Sequence, residues 1–364
     1  MEIRNKMSFK CGLVGMPNVG KSSIFNLLTE QKIPANNYPF CTIDPNIAYV
    51  QVPDKRLNAL GETNKSENIV NASIEFVDIA GLIKGASKGE GLGNEFLGHI
   101  NSTDVIAHVV RFFKDKEVIH VKDNYTPLED FEDINLELIL ADIGTLEKYL
   151  ERFKKSKTDP KEKEILSTEM TALLNHLSED NFASSFMFSE ELAALNDLKL
   201  LTKKPMFVIG NINEQSDQKE IDEFRKQISS DIQFVTIDVG MEQDITELDE
   251  NDQEEFLKDL GLTESALSRI ISAGYKLLGL KTFFTSGPKE TRAWAAKKGF
   301  NARECSGIIH TDIKKGFIRA ETVAYSDYIK HDGDQGSKTA GVWRQEGKDY
   351  MVEEGDVIYF RFNV

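Results

Sequence analysis

Gly15-Met16-Pro17-Asn18-Val19-Gly20-Lys21-Ser22 has the spacing GxxxxGKS, the pattern of a phosphate-binding loop. Few short motifs tie spacing so closely to chemistry. The glycines let backbone N–H groups crowd around phosphate oxygens. The Lys21 cation suits the β- and γ-phosphates, and the Ser22 hydroxyl suits Mg²⁺. The flanks agree. Phe9-Lys10-Cys11-Gly12-Leu13-Val14 reads as a short strand, and Ser22 to Thr29 as the first turns of a helix whose N-terminus faces the anion. A chance glycine turn needs neither.

Outward from the loop, apolar strands alternate with helical patterns, as in an α/β domain with a parallel sheet. Ser73-Ile74-Glu75-Phe76-Val77-Asp78 is a strand ending in an acid. Val105 to Phe112 is another, and Pro205 to Gly210 a third. Between the last two, Leu136, Ile139, Ile143, Leu146, Leu150 and Phe153 form a heptad seam. Ser156 to Pro160 breaks it, and Leu166, Met170, Leu173 and Leu177 continue on a second helix. An antiparallel helical arm inserted in the α/β domain is favoured over two helices packed on the sheet, because the other faces are charged. Leu262 to Leu278 is helical by pattern. After it, Lys281 to Phe284, Gly307-Ile308-Ile309 and Val357 to Phe362 read as strands of a small α+β domain.

A chain of 364 residues has room for two or three cores. No apolar run approaches the roughly 18 residues of a membrane span. Met1 to Lys6 lacks the apolar core of a secretory leader. Cys11, Cys41 and Cys305 are scattered, which argues against a disulfide framework and for a cytoplasmic protein. Cys41, beside the first switch, is a candidate redox-sensitive thiol, with a buried inert one the default. The net charge of −16 opposes nucleic-acid binding by the chain as a whole. The charge is uneven: residues 281–364 hold 14 Lys and Arg against 12 Asp and Glu, net +2, which leaves −18 for the rest. Nucleic-acid contact, if any, starts in that C-terminal piece, and sequence-specific DNA binding is not expected.

The companions of the loop say which nucleotide. Asp78-Ile79-Ala80-Gly81 is a DxxG at a strand end. Its acid can reach Mg²⁺, and the Gly81 N–H can meet the γ-phosphate. Thr42, in Phe40-Cys41-Thr42-Ile43, is placed to close on metal and γ-phosphate, an ordering switch. Gly85, Gly89, Gly91 and Gly93 suit a second switch. Leu82 stands where many GTPases place a water-orienting Gln, so intrinsic hydrolysis is expected to be slow. Substitutes are a switch backbone group, a bound monovalent cation, His99 or a partner. Asn18 is a candidate for helping hold a K⁺ ion or for stabilising the loop. After the Phe207–Gly210 strand comes Asn211-Ile212-Asn213-Glu214, where GTPases usually carry Asn-Lys-x-Asp. Glu214 is one methylene longer than that Asp, which misplaces the fork for guanine N1–H and N2–H₂. A carboxamide such as Asn211 or Asn213 can read adenine N6–H₂ and N7. ATP is therefore expected to bind at least as well as GTP.

GMPNVGKSS, PFCTIDPN, DIAGLIKGASKGEGLGNEFL, NINE and the tail from FIRAETVAYSDYIK to YFRFNV together resemble the YchF family of Obg-like, ribosome-binding ATPases, over about residues 8–364. The resemblance implies an Obg-type P-loop G domain (8–132 and 201–280), an inserted antiparallel coiled-coil arm (133–200) and a C-terminal α+β TGS domain with a ubiquitin-like β-grasp fold (281–364). It implies Mg²⁺-dependent ATP hydrolysis, with GTP the weaker substrate, and contact with ribosomal RNA and proteins through the TGS domain and arm. It also implies a role in translation or stress. Its catalytic residues map onto Lys21, Thr42 and Gly81, and its metal ligands onto Ser22, Thr42 and Asp78. The nucleotide contacts map onto Asn18, Val19, Gly20, Lys21, Ser22, Ser23, Asn211, Ile212 and Glu214, with Phe113 at the base. The chain departs from the family in two places. Asp238-Val239-Gly240 replaces a Cys-Ala-Ala or Ser-Ala-like segment near the base, and Ser23 replaces the common Thr. A slow ATPase switch is the leading expectation. A GTP-hydrolysing translation factor and a nucleotide-gated binding module with incidental hydrolysis are the alternatives.

Overall fold

Strand β1 (Lys10–Val14) is buried along most of its length and runs through the GxxxxGKS loop into helix α1 (Lys21–Glu30). The computed structural model describes residues 9–30, 46–79, 92–114, 126–193 and 198–363. Next come β2 (Ile47–Gln51), α2 (Lys55–Asn64), β3 (Asn68–Val70), β4 (Ser73–Asp78), α3 (Leu92–Asn101) and β5 (Val105–Arg111). After α4 (Pro127–Lys154), α5 (Pro160–Ser178) and the short α6 (Glu190–Ala193), the chain returns as β6 (Met206–Ile212), α7 (Gln218–Gln227) and β7 (Gln233–Asp238). The sheet order is β2-β4-β1-β5-β6-β7, parallel except for the edge pair β2 and β4. Helices cover both faces of such a sheet, so its central strands are apolar on both sides. Strand β5 accordingly is buried at every position.

Helix α4 serves two cores. A reciprocal cap starts it: Thr126 Oγ1 accepts from the Glu129 N–H, and Glu129 Oε2 accepts from the Thr126 N–H. Its first half buries Phe131, Ile134 and Leu138 against the sheet. Its second half buries Ile139, Leu146 and Leu150 against Leu166, Met170, Leu173 and Leu177 of α5. The expected seam therefore begins at Ile139. Leu136 is 43% exposed, because the sheet-facing stripe passes through Ile134 and Leu138 instead. The division drawn between residues 132 and 133 falls inside this one helix.

Helices α8 (Val239–Glu247), α9 (Glu250–Asp259) and α10 (Ala266–Leu277) lead to the second sheet. Helix α10 packs on the first sheet at Gly274, where an added Cβ would meet Ile74, Cys11 and Phe76 at 3.7–3.9 Å, ordinary van der Waals contact. The C-terminal elements are β8 (Leu280–Thr285), β9 (Glu290–Lys297), α11 (Ala302–Ile309), α12 (Thr311–Lys315), β10 (Phe317–Ala324), α13 (Tyr325–Lys330), α14 (Asp334–Thr339), β11 (Arg344–Glu346) and β12 (Asp356–Phe362). Gly307-Ile308-Ile309, expected as a strand, is the end of α11. The Asn301 side chain accepts from the Glu304 N–H while Glu304 accepts from the Asn301 N–H, and this capping box starts a helix that the short apolar run continues.

The second sheet has the order β11-β10-β12-β8-β9-β3. Its last strand comes from the first half of the chain: β3 pairs parallel to β9, Asn68 opposite Glu290 and Val70 opposite Arg292. Around this edge, Asn64 Nδ2 donates to Ser286 Oγ (2.6 Å) and Tyr328 Oη (2.9 Å), and Ser66 Oγ donates to the Gly287 carbonyl (2.8 Å). Phe284, Val323 and Val357 join the core of the first sheet.

Candidate nucleotide site

The loop between β1 and α1 wraps its own lysine. Lys21 is buried, and its Nζ donates to the carbonyls of Gly15 (3.1 Å) and Met16 (2.9 Å). Burial lowers its pKa to about 8, against the pull of the Asp78 carboxylate. Two glycines are required. Gly20 has φ +97°, and an added Cβ would sit 2.2 Å from Asn211 Nδ2; one at Gly15 would sit 2.5 Å from the Val109 carbonyl oxygen. Asn18 adopts the left-handed region at φ 63°. Val19 is fully buried, so its side chain anchors the loop from below, and its carbonyl accepts from Asn211 Nδ2 at 2.9 Å.

The Ser22 hydroxyl donates to Asp78 Oδ2 at 3.4 Å. Asp78 Oδ1 is buried and has no hydrogen-bond partner among the described residues. Burial raises the Asp78 pKa from its ordinary value, against the pull of Lys21 and the Ser22 hydroxyl. An orphaned carboxylate oxygen beside a hydroxyl is an oxygen donor pair suited to a hard cation such as Mg²⁺.

A cleft of about 440 Å³ opens from the loop, within the range of small-ligand sites. Asn18, Gly20, Lys21, Ser22 and Ser23 line one end. Arg111, Phe113, Asn211, Ile212, Asn213, Asp238, Val239 and Gly240 line the other. The second set sits at the C-terminal ends of β5, β6 and β7, the edge where open α/β sheets bind ligands. Arg111 ties the two ends together. Its guanidinium is buried, donates to the Asn18 carbonyl (3.2 Å) and the Phe113 carbonyl (2.9 Å), and lies 4.7 Å from the centre of the Phe113 ring.

The structure thus gathers Asn18, Gly20, Lys21, Ser22, Ser23, Phe113, Asn211 and Ile212 around one space, while Val19, expected among the nucleotide contacts, is fully buried and outside the lining. Asp78 stands behind Ser22, outside the lining. Glu214 is exposed and does not line the cleft. Asn213 takes that place: its Oδ1 accepts from the Gln215 N–H (2.9 Å) and its N–H donates to Ser216 Oγ (2.9 Å), a tight turn that carries residue 214 outward. His99 is exposed in the last turn of α3, away from the lining. Thr42, Gly81, Leu82, Cys41, Gly85, Gly89 and Gly91 lie outside the described residues. Sequence reasoning passed over Arg111 and offered Asn213 only as an alternative to Asn211. The signal for Arg111 was a charged residue closing a strand that is apolar apart from His108.

The family model described as "50S ribosome-binding GTPase" matches residues 10–155. The model YchF-GTPase_C, described as "Protein of unknown function (DUF933)", matches residues 280–363. The chain is 48% identical over 363 residues to the Ribosome-binding ATPase YchF of Haemophilus influenzae, covering 98% of this chain and 100% of that one. The chain belongs to the YchF family. The Bacillus subtilis YchF protein, also named a ribosome-binding ATPase, is 46% identical over 366 residues, with the same coverage. The solved YchF GTPase of Schizosaccharomyces pombe matches with a TM-score of 0.87 at 35% identity, covering 97% of this chain and 98% of that one. Within the YchF family, the first sheet and its loop are a P-loop G domain of mixed α/β fold.

Proposed function

We propose that this protein is a Mg²⁺-dependent ATP-hydrolysing switch that prefers ATP to GTP and works on the ribosome. The cleft carries the reading: a phosphate-binding loop with a buried lysine at one end, and an aromatic, carboxamide-lined space at the other. Lys21 sits where phosphate oxygens would replace the carbonyls of Gly15 and Met16 as its partners. Gly20 and its neighbours supply backbone N–H groups. Ser22 and Asp78 would hold Mg²⁺, which neutralises phosphate charge when bound. Hydrolysis attaches a water oxygen to the γ-phosphorus and breaks its bond to the β–γ bridging oxygen, leaving ADP and inorganic phosphate. Thr42 and Gly81 are proposed to close on the triphosphate. With Leu82 in place of a water-orienting Gln, turnover is slow.

The preference for ATP is supported by the exposed position of Glu214, which takes the acid of the Asn-Lys-x-Asp position out of the cleft lining. Phe113 supplies a ring face for the base. Residues 281–364 are proposed to be a TGS domain of β-grasp type, and the α4–α5 hairpin an arm; both would report nucleotide state to the ribosome. The relatives' names support that partner. So do five exposed bases on the C-terminal unit: Lys297, Lys298, Lys314, Lys315 and Arg319. Arg319 is already paired to Glu321 at 3.0 Å, so the lysines are expected to contribute most.

Titration with ATP and GTP, each with Mg²⁺, tests the reading. Tighter ATP, with turnover lost in Lys21→Ala, is expected. Tighter GTP would move the protein to the translation GTPases. Nucleotide-dependent ribosome co-sedimentation that survives Lys21→Ala unchanged would refute the coupled switch. Charge reversal of Lys314 and Lys315 without effect on co-sedimentation would remove them from the interface.

A further inference from the structure

Asp238 ends β7 and caps α8, and it stands at the base end of the cleft. Its Oδ1 accepts from the Met241 N–H at 3.1 Å, the ordinary work of an N-cap. A serine would do as much. The second oxygen, Oδ2, accepts no hydrogen bond among the described residues. Asp238 is also the one carboxylate among the described residues that line the cleft. Its lining neighbours Ile212 and Val239 are apolar, and the Arg111 guanidinium donates to the Asn18 and Phe113 carbonyls rather than to this acid.

We propose that Asp238 sets base selection in this chain: its free carboxylate oxygen accepts a hydrogen bond from an exocyclic amine at purine C6 and repels a carbonyl there. The proposal rests on the reading that the cleft holds a purine nucleotide. Adenine carries the amine at C6. Guanine and hypoxanthine carry an oxygen, and two acceptors facing each other in a partly dry site leave both unpaired. The small residues expected at this position by resemblance present no such charge, so selection by Asp238 would be a device of this chain and not only of the motif Asn211 to Glu214.

The test is calorimetric titration of the full chain with ATP, ITP and GTP in Mg²⁺. ATP and ITP differ in the six-membered ring alone, at C6 and N1. The variant Asp238→Ser keeps an N-cap acceptor and removes the carboxylate; Asp238→Asn keeps shape and volume if the serine variant fails to fold. Wild type is expected to favour ATP over ITP, and either variant to reduce that ratio by about tenfold, the worth of one such hydrogen bond. Loss of the cap alone weakens all three nucleotides together and leaves the ratio in place. A variant ratio within about twofold of wild type, or a wild type that does not discriminate, overturns the role of Asp238. A wild type whose binding of every nucleotide is unaffected by Lys21→Ala overturns the nucleotide cleft itself, and the proposal with it.

Discussion

Replacing Asp142 by alanine should loosen the root of the helical hairpin. This carboxylate is fully buried on α4 and accepts three hydrogen bonds: from the Leu201 N–H (2.7 Å), the Thr202 N–H (2.8 Å) and the Thr202 hydroxyl (2.6 Å). Thr202 in turn accepts from the Ala183 and Ser184 N–H groups through its hydroxyl and carbonyl oxygens. Two residues on, Lys204 Nζ donates to the carbonyls of Ile100 and Asn101, each at 2.9 Å, and of Thr103, closing the C-terminal end of α3. One acid therefore sets the path from the hairpin into β6. Alanine leaves three donors unpaired in a buried site, at about 1–3 kcal/mol each. Relief of the carboxylate's own desolvation offsets several kcal/mol of that total. The net expected loss is about 3 kcal/mol, measured by urea unfolding at neutral pH, with faster amide exchange at Leu201 and Thr202. The pH dependence has a definite sign. Burial raises the folded-state pKa of Asp142 above its unfolded value, so the folded chain takes the proton first. The stability gap between wild type and variant should therefore widen as pH falls through the folded pKa toward the unfolded one. A loss below about 1 kcal/mol with both amides still protected, or a gap that narrows on acidification, would refute the reasoning.

For Lys21, the folded pKa of about 8 lies below the usual lysine value, so the unliganded site gives up its proton as pH rises past 8. ATP affinity should fall above pH 8 by up to about tenfold per pH unit in wild type and stay flat in Lys21→Arg, by titration at stepped pH. The unfolded chain holds that proton to higher pH. The nucleotide-free fold should therefore gain stability between pH 8 and the unfolded lysine pKa, by up to about 1.4 kcal/mol for each pH step of one, read from urea midpoints. Gly20→Ala places a methyl against Asn211 at a positive φ. It should cost about 1–3 kcal/mol and abolish ATP binding, seen by thermal shift and calorimetry. Leu173→Ala empties a fully buried position in the hairpin's own core. It should cost about 2–5 kcal/mol, with increased amide exchange confined to α4 and α5 and an unchanged ATP dissociation constant.

Much of the G domain was legible because its signals are local. The strands around Cys11, Phe76, Ile106 and Val208 are short apolar runs bounded by turns, and the loop's glycines mark backbone that other residues cannot adopt. The heptad of α4 was legible only in part. Periodicity shows that a face is buried, but not which of two cores it faces, and Leu136 lost its place to Ile134 and Leu138 for that reason. Gly307-Ile308-Ile309 was misread because three apolar residues do not separate a period of 2 from one of 3.6, whereas the Asn301–Glu304 cap does. At the site, the turn at Asn213 brings Asn213 into the lining and leaves Glu214 outside it, a distinction that the NxxE spacing does not record.

The sequence by itself determined the phosphate end of this protein: GxxxxGKS between a strand and a helix has one folded meaning, because spacing and backbone freedom suffice to specify it. Tertiary structure decided the other end of the cleft. Arg111, Asn211, Asn213 and Asp238 come from the ends of three strands, and only the sheet order β5-β6-β7 makes them neighbours. It also decided that β3, more than two hundred residues from its partner β9, completes the second sheet and joins the two halves of the chain. Contacts of that kind are chosen by packing between distant segments, which no local period records.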